Sequence, residues 1–293
     1  MSSSDMDDIL SRPFPTGSGG SFSDLFRAAR GELDSQEDQE DELTRTGRVL
    51  LVAGIREELD GLFRLHSFDF DKSVRAYRSR AYDRLYATTS GPGLKNRKVL
   101  RRTLLAINPD IIVNAGLVGV LDERDGLKTG ERLRLGSVVN SRSGIIYPGG
   151  PGRDVLVSVP HPLFSPLEKM NAHLDFQARV CDMEAAGLIE LTASLELLAY
   201  KTVLIFIKIA GDRPEQYDLF RYEHLLRGWN RWTLRQKALA VLRFPGGYRR
   251  LRKLQAEKKS ALHQLTQAVN DSLKQILESG GRTDNLDSLF IPH

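Results

Sequence analysis

Between Val203 and Ile207 the chain runs VLIFI, too apolar to face water on either side and too short for a buried helix. A strand buried on both faces fits, and such strands belong to sheets with helices packed above and below. The run empties at Lys208-Ile209-Ala210-Gly211-Asp212. That puts an acid just past the carboxyl end of a buried strand, where open α/β sheets gather ligand-contacting groups. Upstream, Asp182 and Glu184 bracket Met183 and are followed by Ala185, Ala186 and Gly187. Leu188, Ile189, Leu191, Leu197 and Leu198 then recur near helical spacing, leaving Glu190 and Glu196 for a wet face. The plain alternative is a helix N-cap at Asp182 and a turn acid at Asp212, because Asp favours both places.

Earlier segments repeat the strand-then-helix alternation. VLLVA (Val49 to Ala53) predicts a buried first strand, and GIREELDGL (Gly54 to Leu62) opens a helix. Glu57 and Glu58 fall in its first turn, where the helix dipole favours negative charge; the functional alternative points one of them into a cleft at the strand end. Arg75 to Thr89 reads as further sheet ending in a Ser90-Gly91-Pro92-Gly93 turn, and a basic helix follows from Lys95 to Ile107. Glycines at such a junction let backbone amides approach a ligand, Gly91 among them. Ile111 to Val113 is a buried strand expected to break into a glycine-bearing loop at Gly116 and Gly119. Leu133 to Val139 is another strand. Ser141 to Arg153, rich in Gly, Ser and Pro with Tyr147 isolated among them, reads as a surface loop. Val155 to Val159 is a strand leading into Pro160-His161-Pro162-Leu163-Phe164. There His161 is a candidate ligand contact or a plain loop residue.

The 293 residues suffice for one large α/β domain with appendages. A single cysteine, Cys181, excludes an internal disulfide framework and any multi-cysteine metal site, and it suits a reducing, cytoplasmic setting. No run is long enough for a membrane span, and the start, MSSSDMDDIL, lacks a signal-peptide pattern. Residues 1–47 are dominated by Ser, Gly, Asp and Glu. They bury too little apolar surface to offset ordering and read as a disordered tail, with a short amphipathic piece around Phe22 to Ala29.

Five stretches in this order resemble the nucleoside phosphorylase/nucleosidase superfamily of purine phosphorylases and methylthioadenosine/S-adenosylhomocysteine nucleosidases. They are LVAGIREEL, TSGPGLK, PDIIVNAGLVGVL, LKTGE, and CDMEAAG followed by IKIAGD. The similarity covers Arg48 to Arg235, and within the superfamily it is closest to the hopanoid-associated nucleosidase branch. It implies a three-layer α/β/α fold with a central mixed sheet over 48–240, no metal or cofactor, and a homo-oligomer. By the same resemblance Glu184 binds the ribose hydroxyls with Asp182 beside it, and Met183 packs on the sugar. Asp212 is the general acid at purine N7, and Glu58 positions and deprotonates water. Gly116 and Gly91 line the site, and Phe164 or His161 stacks on the base. This chemistry needs two acids in different environments: one protonated near the leaving base, one ionised at the nucleophile.

The chain departs from the family pattern in ways that bear on the reaction. Where phosphorylases offer phosphate a serine and an arginine, this chain has Leu117 and Asn114. Leu117 supplies neither a donor side chain nor charge, so water is the expected nucleophile. The Ser-Asp pair at the base is Gly211-Asp212, and Asp182 stands in place of a glutamate. The expected activity is therefore purine nucleoside N-ribosyl hydrolysis. The alternatives are phosphorolysis and a non-catalytic scaffold on the same fold.

Residues 241–293 read as a basic helical extension. Tyr217 to Ala240 is expected to be helical, with Trp229 and Trp232 near Arg227, Arg231 and Arg235. After Phe244-Pro245-Gly246-Gly247, a long helix runs from Tyr248 to Leu277 and begins YRRLRKLQAEKK. This reads either as a packing helix with a solvated face or as a surface attracted to an anionic inner-membrane leaflet. Nucleic-acid binding ranks last, because no recognised module accompanies the charge.

Overall fold

The computed structural model describes residues 47–122, 124, 126–163, 165–195, 197, 202–212, 233 and 245–278, the last segment with side chains from 252. The chain divides into two compact units, Met1–Arg45 and Thr46–His293, and the second carries every element below. Phe22 to Ala29, Phe164, Trp229, Trp232 and most of Tyr217 to Ala240 lie outside the described residues.

Ten strands form one mixed sheet: β1 (Val49–Ala53), β2 (Phe68–Asp71), β3 (Ala76–Ser79), β4 (Leu85–Thr89), β5 (Ile111–Val120), β6 (Leu135–Asn140), β7 (Ile146–Pro148), β8 (Asp154–Ser158), β9 (Val180–Asp182) and β10 (Val203–Asp212). The order is β2-β3-β4-β1-β5-β9-β8-β6-β7, with β10 on the other side of β5. At the centre β1, β5 and β10 run parallel in matched register, Val49 and Val203 both opposite Ile111; β1 stops opposite Ala115, while β5 and β10 continue to Val120 and Asp212. The helices are α1 (Asp60–His66), α2 (Arg97–Ile107), α3 (Pro166–Phe176), α4 (Ala185–Ser194) and α5 (Pro245–Glu278).

Strand alternation sorts the central residues onto two helical layers. Val49, Leu51 and Ala53 pack with Ile111, Val113, Ile205 and Ile207 against Leu62 of α1 and Ala261, Leu265, Val269 and Leu273 of α5. Leu50, Val52 and Ile112 face the other way, onto Leu100, Leu104 and Ile107 of α2 and Leu188 and Leu191 of α4. Helix, sheet and helix make the expected three-layer architecture. Spacings of four residues from Ala261 to Leu273 put one narrow face of the 34-residue α5 into the core. Its earlier part differs: Arg252, Lys253, Lys258 and Lys259 are exposed.

Several sequence expectations are corrected. Gly116 and Gly119 do not break the third strand into a loop: β5 runs unbroken through both to Val120, because β10 pairs along its length. The Ser141 to Arg153 segment contains β7, which pairs with β6 and buries Tyr147. The Tyr147 hydroxyl donates to Glu190 at 3.0 Å, so this isolated aromatic is a core residue with a partner for its polar end. The helix expected from Gly54 is a 3-10 turn, Arg56–Glu58, followed by α1. β10 extends past Ile207, so Asp212 is its last residue rather than one beyond its end.

Helix α5 should contribute strongly to stability. Leu265 is fully buried in the main core, so Leu265→Ala is expected to lower the unfolding free energy by about 2–5 kcal/mol. Urea denaturation of the full chain measures this.

Candidate active site

Where β1 ends, alongside the middle of β5 and β10, acids collect. Glu58 reaches this place from the 3-10 turn after β1. Its Oε2 accepts from the amides of Gly54 at 3.0 Å and Ile55 at 3.1 Å, and its Oε1 accepts from the Leu117 amide at 2.8 Å. The last of these bonds joins the end of β1 to β5 across 59 positions of sequence. Burial raises the Glu58 pKa, opposed by these amides and by the charge of Lys208. This carboxylate caps the turn and is buried at the end of β1.

Glu184 arrives from the opposite side, at the start of α4. The Gly93 amide donates to its Oε1 at 3.0 Å. Gly93 has φ +63 and belongs to the turn after β4 that the sequence marked through Gly91, itself buried with φ +70. A side chain on Gly54 would begin 3.1 Å from Glu184 Oε1 and 3.5 Å from Glu58 Oε2, so the two carboxylates flank one glycine. Burial, then the neighbouring Asp182, pushes the Glu184 pKa up to about 7. Met183 is half-buried, its methyl 3.4 Å from where a Gly93 side chain would begin.

Asp182 is not the N-cap residue of α4; Glu184 holds that position. Asp182 still satisfies the helix start: Oδ2 accepts from the Ala185 amide at 3.1 Å, and Oδ1 accepts from Ser158 Oγ at 2.6 Å. Its remaining partner is Lys208 Nζ at 2.8 Å, an ion pair with both side chains almost wholly withdrawn from solvent. Lys208 sits mid-strand in β10, and the place a Gly116 side chain would begin is 3.6 Å from its Nζ and 3.2 Å from Glu58 Oε1. Three acids thus surround one buried ammonium. With all of them ionised the group carries excess negative charge, an environment suited to a cation.

Asp212, at the end of β10, keeps about a third of its side chain exposed and pairs with the buried Lys169 of α3. Beside it the absence of a residue-211 side chain has a steric cause: one on Gly211 would begin 2.9 Å from Leu117 Cβ. The two departures from the family pattern, Leu117 and Gly211, face each other across β5 and β10, so the larger residue at 117 accounts for glycine at 211. Asn114 is buried and donates to the Val52 carbonyl at 3.3 Å.

The structure gathers Glu58, Glu184, Asp182, Gly116 and, through Gly93, the Gly91 turn. His161 is exposed in the loop after β8, and Phe164 lies outside the described residues. The sequence reading missed Lys208, Lys169 and Ser158, while Gly93 falls in the glycine turn it marked. Lys208 had left a trace, a charge inside a strand too apolar to expose it; Lys169 left none.

No protein-family model matches the chain, and no curated protein matches it in sequence. Solved structures do match it in fold. A futalosine hydrolase of Helicobacter pylori superposes with a TM-score of 0.52 at 12% identity, over 77% of this chain and 98% of that one. The 5'-methylthioadenosine/S-adenosylhomocysteine nucleosidase of the same bacterium gives 0.54 at 12% identity, over 77% and 99%. An Arabidopsis thaliana 5'-methylthioadenosine nucleosidase gives 0.52 at 14% identity, over 77% and 95%. The chain has the nucleoside phosphorylase/nucleosidase fold.

Two outcomes follow from the buried charges. Lys208→Met leaves Asp182 as an unpaired buried carboxylate and should destabilise the fold by about 3–5 kcal/mol; Lys208→Met combined with Asp182→Asn should recover much of that loss in the same denaturation assay. For Glu184, the folded pKa near 7 lies above the ordinary 4.5. The folded state therefore binds the proton more tightly, and stability falls as pH rises from about 4.5 to about 7. Glu184→Gln removes this loss, so its stability relative to wild type should improve by on the order of 1–3 kcal/mol between pH 4.5 and 8.

Proposed function

We propose that this protein is a purine nucleoside N-ribosyl hydrolase that releases the base from an adenosine-like substrate. The observation that carries this reading is the convergence of Glu58 and Glu184 on either side of Gly54 at the end of β1, with Asp212 closing the end of β10. One of these structural neighbours is known with ligands of this class. The Helicobacter pylori methylthioadenosine/S-adenosylhomocysteine nucleosidase was solved with a pyrrolopyrimidine-bearing pyrrolidine, and a mutant of it with 5'-methylthioadenosine in its active site.

In this reading Glu184 accepts from the ribose hydroxyls while Met183 packs on the sugar. As the C1′–N9 bond stretches, positive charge grows on the ribose, and the surplus of carboxylates around Lys208 stabilises it. Glu58 holds water on one face of the sugar and takes its proton. Its three amide bonds leave acceptor capacity for one more partner. Asp212 stands at the leaving base. Water is favoured over phosphate as the nucleophile because Leu117 has no side-chain donor and its amide is already committed to Glu58.

The exposed Arg252, Lys253, Lys258 and Lys259 of α5 suit an anionic surface; a membrane leaflet is preferred to nucleic acid because no recognised nucleic-acid module accompanies the charge, and it accords with a lipid-linked 5′-substituent on the nucleoside. A homo-oligomer is part of the same reading.

Base release from adenosine, methylthioadenosine and a 5′-alkylated adenosine, with and without phosphate, tests the proposal. Phosphate-independent release is the expected result. Phosphate-dependent release would make the protein a phosphorylase, and binding without release would make it a scaffold. Glu58→Gln is expected to lower kcat by about 10²–10⁴-fold while ligand affinity stays near wild type. A variant that loses stability but not turnover per folded molecule would reduce Glu58 to its capping role.

A further inference from the structure

Lys169 is the second buried lysine of the domain, and its place is harder to explain by packing. It lies on α3 and is 1% exposed, while Leu167, Met170 and Leu174 of the same helix are 60%, 46% and 62% exposed. The helix turns its lysine inward and three large apolar residues outward, the reverse of an ordinary amphipathic helix. Removing an ammonium from water costs several kcal/mol unless a counter-charge meets it. Among the described residues the hydrogen-bond partner of Lys169 Nζ is Asp212 Oδ2. The pair is layered: the lysine side chain is 2% exposed and the carboxylate in front of it 32%. A side chain on Gly119 would begin 3.1 Å from both Asp212 Oδ1 and Cys181 Sγ, so the strand behind the pair is kept bare. Burial, then the Asp212 charge, pushes the Cys181 thiol up to about 12, which leaves it a neutral neighbour.

An aspartate paired to an ammonium is a carboxylate, and a carboxylate accepts hydrogen bonds without having a proton to give. A group that must protonate a leaving base needs a source behind it. We propose that Lys169 supplies, through Asp212, the proton that the leaving base takes up. The inference rests on the hydrolase reading above. As the C1′–N9 bond breaks, its electron pair moves into the imidazole ring of the base. One proton passes from Nζ to the Asp212 carboxylate and from that carboxyl group to N7. The lysine N–H bond leaves its pair on Nζ, so a neutral amine remains beside the Asp212 carboxylate and a neutral base departs. As the product leaves, entering water relays the proton that Glu58 took from the nucleophilic water back to Nζ, which restores the ammonium and the Glu58 carboxylate together. Lys169 reaches the substrate only through Asp212 and is a positioning and proton-supplying residue.

The test uses the full-length protein, Lys169→Met and Lys169→Arg, with two substrates: the nucleoside that wild type hydrolyses and 4-nitrophenyl β-ribofuranoside. The nitrophenolate departs without needing a proton. Arginine keeps the positive charge opposite Asp212 but does not release its proton. Both variants should lose about 10²–10⁴-fold in kcat on the nucleoside, with KM near wild type, and should cleave the nitrophenyl riboside within a few-fold of wild type. Thermal unfolding identifies the folded variants, and Lys169→Arg carries the test if the methionine variant does not fold. Unchanged kcat on the nucleoside overturns the proposal, as does equal loss on both substrates or full activity of Lys169→Arg. Absence of base release by wild type instead removes the hydrolase reading, and this proposal with it.

Discussion

Lys208 extends its ammonium from the middle of β10 into a dry space bounded by Asp182, Glu58 and the bare backbone of Gly116. Carboxylates packed this closely repel one another, and each loses hydration on burial. The lysine offsets part of both costs, making a direct ion pair with Asp182 and lowering the Glu58 pKa against the pull of burial. Asp182 in turn bonds the first amide of α4 and the Ser158 hydroxyl, and that hydroxyl accepts from the Ala186 amide. The beginning of α4, the end of β8 and the middle of β10 are therefore tied through one charge. Glu184 inherits its position from that junction and its raised pKa partly from Asp182.

The helical layers have different work. α2 and α4 cover one face of the sheet, and α4 delivers Glu184. α1 and the second half of α5 cover the other face, beneath the turn that carries Glu58. A side chain on Gly61 would begin 2.2 Å from Thr266 Oγ1, so α5 lies hard against α1 just beyond that turn. Helix α5 is in this sense part of the scaffold beneath the turn that carries Glu58, while its Arg252, Lys253, Lys258 and Lys259 are exposed.

At the end of β10 the sequence departs from the pattern it resembles. Leu117 and Gly211 occupy facing positions where the family pattern has serines, and the 2.9 Å approach makes the two replacements one steric event. Neither residue carries a side-chain hydrogen-bonding group, and a charge pair, Asp212 with Lys169, stands beside them. At 12–14% identity the solved structures share the fold with this chain while most of the sequence differs.

The sequence by itself determined the layered architecture, because VLLVA, DIIV and VLIFI admit only strands buried on both faces, and their intervening amphipathic stretches supply the covering helices. It also marked Glu58, Glu184, Asp182 and Asp212, since acids next to apolar strands and small residues are conspicuous locally. Tertiary structure decided what those acids meet. Pairing with β10 carries β5 through Gly116 and Gly119, where glycines in a lone segment read as a break. The inward turn of Lys169 contradicts its own helix's apolar pattern and becomes intelligible only once Asp212, 43 residues later, lies opposite. Hydrophobic period is encoded within a few residues, so it survives in the linear text. Charge pairing between distant segments depends on where the folded sheet places them, and no local spacing records it.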